Sequence, residues 1–165
     1  MELNSIKTKA TELVELKARI ELYRKEWQEV AKPLLIKTLS SVAEEVKIGW
    51  IIQTVTAIKN LENVNIQFLS QPSGIRKDDN INHSHRHYSK EGASLMFAQT
   101  VNGEILVVVT YPFIEEWIAE KEPETIAFVS PNQITENFIL AQVERFLDEM
   151  IKWEKSDSVQ SRIGF

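Results

Sequence analysis

An α+β fold with a mainly antiparallel sheet is what this sequence predicts, on three observations. Apolar residues recur at helical spacing as far as Val46, then give way to runs rich in Ile, Val and Thr. Asn102-Gly103 sits between two β-rich runs, "SLMFAQT" and "EILVVVTY", which marks a tight hairpin rather than a parallel crossover. A second long helical stripe closes the chain. The expected domain is a sheet of about four to five strands with two N-terminal helices and a long C-terminal helix. Residues 1–153 form it as a single domain, and residues 154–165 form a polar tail.

The first helix rests on Ile6, Leu13, Ile20, Trp27 and Leu34, which recur every seventh position, with Leu16, Tyr23 and Val30 three residues on. Lys9 interrupts the second row. Glu15 with Arg19 and Glu21 with Lys25 have the spacing of helix-surface ion pairs. The narrow stripe allows two readings: a helix lying across a sheet, or one that pairs in part with another subunit. Pro33 ends or kinks this helix. A second helix follows over residues 33–46 on Leu35, Leu39, Val42 and Val46, with Gly49 beyond its end.

Residues 50–58 suit a pleated strand. In "VNIQFLS", Val64, Ile66 and Phe68 alternate with Asn65 and Gln67, so this strand should have one solvated face. Residues 71–92 are a long polar interval, which points to function, disorder or a concealed strand. Pairing outward from a two-residue turn at Asn102-Gly103 sets Met96 beside Val109 and Phe97 beside Val108. Both faces of that hairpin are apolar near the middle, so it should be central and covered on each side. Pro112 should open a short acidic helix that Pro123 closes. "TIAFV" is the last strand. Ser130-Pro131-Asn132-Gln133 has the form of a capping box, opening a helix to about Trp153 on Ile139, Val143, Phe146 and Met150.

Composition narrows function mainly by exclusion. At 43% hydrophobic and 26% charged residues the chain matches ordinary globular domains. A net charge of −5 argues against nucleic acid and anionic membrane as partners. The absence of cysteine removes disulfides, thiolate chemistry and cysteine-based zinc sites. The first residues lack a basic start followed by an apolar run, so no signal peptide is expected and a cytoplasmic location is.

Chemistry concentrates in "INHSHRHYSKEG", where His83, His85 and His87 are the only histidines of the chain. On a strand, neighbours two apart lie ~6.8 Å apart on one side, so two imidazoles can share a divalent metal while the third is remote. A metal-dependent hydrolase built on His83, His85 and His87 with nearby carboxylates is therefore one expectation. Arg76, Lys77, Arg86 and Lys90 flank the histidines and make a basic island suited to a small anionic ligand or a protein partner. That island can equally pair with the acidic stretch Glu115, Glu116, Glu120, Glu122 and Glu124. No G-x-S-x-G elbow or glycine-rich phosphate loop is present. The leading expectation is a non-enzymatic binding domain without a cofactor that associates as a homodimer.

Overall fold

The N-terminal helix runs on past Pro33, where the sequence places an end or a kink, and the distortion takes the form of a π-helical turn. α1 spans Leu3–Glu26, a π-helical turn spans Trp27–Ala31, and α2 spans Lys32–Glu45; the computed structural model describes residues 2–56 and 61–156. Proline cannot donate to the carbonyl four residues back, and its ring crowds that carbonyl. Widening the turn just before Pro33 relieves the conflict, and Lys32 N–H bonds to the Trp27 carbonyl five residues back.

The widened turn also points Trp27 and Ala31 into the core, where both are fully buried. The Trp27 indole N–H donates to Glu62 Oε2 at 3.0 Å, and Gln28 (3.0 Å) and Lys32 (2.9 Å) donate to the same carboxylate. These donors, the indole foremost, hold the Glu62 carboxyl below its usual 4.5. A depressed carboxyl stabilises the fold above its unfolded pKa, and that stability is lost as pH falls through the folded value. Wild-type protein should therefore lose more melting temperature than Glu62→Gln between about pH 6 and pH 3. Parallel melting curves would show the Glu62 cluster to be unimportant to stability.

Eight strands follow: β1 Trp50–Thr56, β2 Glu62–Phe68, β3 Gln71–Asp79, β4 Ser84–Glu91, β5 Ser94–Gln99, β6 Ile105–Thr110, β7 Phe113–Ile114 and β8 Glu124–Val129. Five of them make an antiparallel sheet in the order β1-β2-β5-β6-β8. α3 spans Glu136–Glu154 and closes the fold. Leu35 and Leu39 of α2 and Ile139, Val143 and Phe146 of α3 share one core with Val64, Ile66, Leu95, Phe97, Val107 and Val109. The hairpin is central, as its composition predicts, but one face carries the core. Met96, Ala98, Leu106 and Val108 on the other face are half-buried. Asn65, expected on that solvated side, is buried between Gln53 and Met96 and donates to Asn63 Oδ1 at 2.8 Å.

Hairpin register differs from the expected one by a residue. Phe97 faces Val107 and Leu95 faces Val109, all four fully buried. The turn holds three residues rather than two: Gly103 N–H bonds to the Thr100 carbonyl (3.0 Å) and Thr100 N–H to the Glu104 carbonyl (2.8 Å). Asn102 lacks the positive φ that a two-residue type I′ turn demands, whereas Gly103 has φ +82°. A type I turn closed by a left-handed glycine is the three-residue solution, and the slip pairs Phe97 with Val107 and Leu95 with Val109 on the core face.

Other expectations shift for local reasons. Residues 71–92 conceal strands, since β3 and β4 form an arm inserted between neighbours β2 and β5. The acidic helix expected after Pro112 is absent; β7 pairs with β4, and Ile114 and Ile118 exchange backbone hydrogen bonds around a tight turn. A run this short bounded by prolines does not recover the cost of helix nucleation. The capping box at Ser130 and Gln133 forms, but on a 3₁₀ turn, Pro131–Gln133. Thr135 caps α3 instead, accepting from Phe138 N–H at 3.1 Å. The end of the expected strand 50–58 (residues 57–58), residues 59–60 and most of the expected tail (157–165) lie outside the described residues. Among the described residues no helix is long and apolar enough to cross a membrane.

Candidate functional site

Two surfaces stand out, the arm and the N-terminal half of α1. The arm gathers all three histidines and the four cations that flank them in sequence, because β3 and β4 pair Arg76 with His87, Lys77 with Arg86 and Asp78 with His85. Its histidines do not line one face. His85 and His87 lie two apart on β4, while His83 sits in the connecting turn with φ +54°. His85 Nδ1 meets Asp78 Oδ1 at 2.6 Å, and this hydrogen bond, with Arg76 beside it, holds the Asp78 carboxyl below its usual range. Among the described residues no group of three or more histidine, aspartate or glutamate side chains is placed to hold a metal ion.

Carboxylates already engage much of the basic island. Arg76 pairs with Asp78 at 2.8 Å, Arg86 with Glu116 at 3.0 Å and Glu115 at 3.9 Å, and Lys90 with Glu154. The pairing with Glu115 and Glu116 is the intramolecular form of the contact expected between the island and the acidic stretch. It also explains the shape of the loop after β7. Glu116 has φ +68°, a conformation side chains adopt at a cost, and its carboxylate accepts from both Arg86 and the buried Tyr88 hydroxyl at 2.8 Å. Tyr88 lies edge-on to Trp117 and under the Arg86 guanidinium. The base of the arm is thus fastened, while Lys77, His83 and His87 remain exposed with no carboxylate at ion-pair distance among the described residues.

A cleft of about 330 Å³ opens where the arm meets α3, lined by Ile48, Phe68, Ala93, Pro112, Leu147 and Met150, with Lys90 and Glu154 beside it. Its size suits a small apolar group. Sequence reasoning misses it, apart from Lys90, because its walls come from five separated segments.

The second surface is the helix. α1 buries no residue, and residues 2–19 are exposed throughout. Contact with the body begins at Ile20 and Tyr23, against the hairpin turn at Gly103, and Arg24 donates to the Val101 carbonyl at 3.0 Å. The ion pairs expected within α1 do not close, so Glu12, Glu15 and Arg19 carry no partner among the described residues. Ile6, Leu13 and Leu16, the predicted seam, are 52%, 54% and 42% exposed. No protein-family model, curated protein or solved structure matches the chain significantly.

Proposed function

We propose that this chain is a non-enzymatic interaction domain that self-associates, with α1 as the element that meets a second copy. The arm serves as a recognition surface for a protein or small anionic partner, through Lys77, His83 and His87. The domain works in the cytoplasm, the setting its cysteine-free sequence suits.

The observation that carries this reading is the uncovered seam of α1. A helix in water draws most of its stability from packing an apolar face. Among the described residues nothing buries residues 2–19, yet they keep Ile6, Leu13 and Leu16 in line. A partner helix supplies the missing cover. The arm presents mainly polar and charged side chains, so its contribution is specificity and encounter rate rather than bulk affinity.

Light scattering at tens of micromolar should give the mass of a dimer for the wild type. Leu13→Asp combined with Leu16→Asp should give a monomer, with the near-ultraviolet spectrum of the body retained. A wild-type protein that is strictly monomeric at that concentration would overturn the proposal.

A further inference from the structure

We infer that the second copy docks on α1 antiparallel, in one register that sets Leu13 of each helix against Leu16 of the other. This rests on the self-association proposed above and adds the orientation, which charge and shape both specify.

In heptad terms Ile6, Leu13 and Ile20 occupy the first core row, and Lys9, Leu16 and Tyr23 the second. Glu12 and Arg19 then flank the seam on one side, and Lys17 and Arg24 on the other. An antiparallel pair with Leu13 opposite Leu16 places Glu12 of each copy beside Arg19 of the other, two attractive contacts between groups that have no ion-pair partner among the described residues. Lys9 meets Ile20, where its methylenes cover the isoleucine and its ammonium reaches solvent.

A parallel pair fails on each count. Lys9 would face Lys9 inside the seam, and Arg19 would lie beside Arg24, offsetting the Glu12–Lys17 contact. Shape points the same way. The hairpin turn sits on the seam at Tyr23: a Cβ added to Gly103 would lie 2.7 Å from Tyr23 Cβ. Two parallel copies would wedge both turns between the helices at one level. Antiparallel copies separate the two turns, each lying beside the first turns of the other helix, with the two bodies at opposite ends.

The native chain has no cysteine, so single introduced cysteines report position without interference. Lys9→Cys and Ile20→Cys proteins, mixed and oxidised, should form a mixed disulfide dimer, while Ile6→Cys alone should stay uncrosslinked. Charge reversal gives an independent reading. Arg19→Glu should weaken the dimer about tenfold by turning both Glu12 contacts repulsive, and adding Glu12→Arg should restore it. In a parallel pair Arg19→Glu would instead strengthen association through Arg24. A wild-type dimer whose Ile6→Cys variant crosslinks to itself, or one that Arg19→Glu tightens, overturns the antiparallel register and leaves self-association standing. A monomeric wild type removes both.

Discussion

Replacing Trp27 by alanine should cost about 3–5 kcal/mol, the range for deleting a fully buried large aromatic side chain. For a chain of this length each kcal/mol moves the melting temperature by about 2–4 °C, so a fall of about 6–20 °C is expected. Two effects combine at this position. The side chain is the largest fully buried one among the described residues and packs in the core that the helices share with the sheet. Its indole N–H also donates to Glu62, although Lys32 and Gln28 would still hold that carboxylate. Trp27→Phe separates them, because phenylalanine keeps much of the volume and loses the donor. It should cost about 1–2 kcal/mol from the donor together with a smaller packing loss. Urea unfolding measures both; a Trp27→Ala midpoint equal to that of wild type would mean that this side chain does not anchor the helices.

Gly103→Val should also destabilise the protein strongly, and more than the same change at Gly74. Both glycines have the left-handed backbone, φ +82° and +79°, where a β-branched residue is strained. That backbone term is about 1–2 kcal/mol at each. Surroundings separate the two positions. A Cβ at Gly74 meets nothing within 4 Å, whereas at Gly103 it meets Tyr23 Cβ at 2.7 Å and the Ile20 carbonyl oxygen at 3.2 Å. Neither neighbour is the tip of a flexible side chain, so relief requires α1 to move off the hairpin turn, adding about 1–3 kcal/mol. Urea midpoints for the two variants test this, and limited proteolysis near Ile20 should rise in Gly103→Val alone. Equal losses at Gly74 and Gly103 would mean that the close approach of α1 to the turn is unimportant.

Much of the architecture is legible in the residues because its signals are local. The stripe Ile139, Val143, Phe146 and Met150 places α3, and the apolar runs on either side of Asn102-Gly103 place β5 and β6. The arm was legible as an interval needing explanation, and each of Arg76, Lys77, His83, His85, Arg86, His87 and Lys90 lies on it. Its electrostatic state was less so. Asp78 is close in sequence to its partner His85, but Glu116 and Glu154 reach Arg86 and Lys90 only through the fold. The cleft beneath Lys90 had no sequence signal, since spacing cannot bring Ile48, Phe68, Pro112 and Met150 together.

By itself the sequence determined the α+β class, the helical stripes, the central hairpin and the apolar seam of α1, because each depends on periodicity within one segment. Tertiary structure decided the π-helical turn at Trp27, the three-residue hairpin turn and the loss of the helix after Pro112. It also decided which cations of the arm are already paired. Each of those choices weighs a weak local preference against burial or a hydrogen bond supplied by a distant residue: Glu62 for Trp27, Val107 for Phe97, Lys90 for Ile114 and Glu116 for Tyr88.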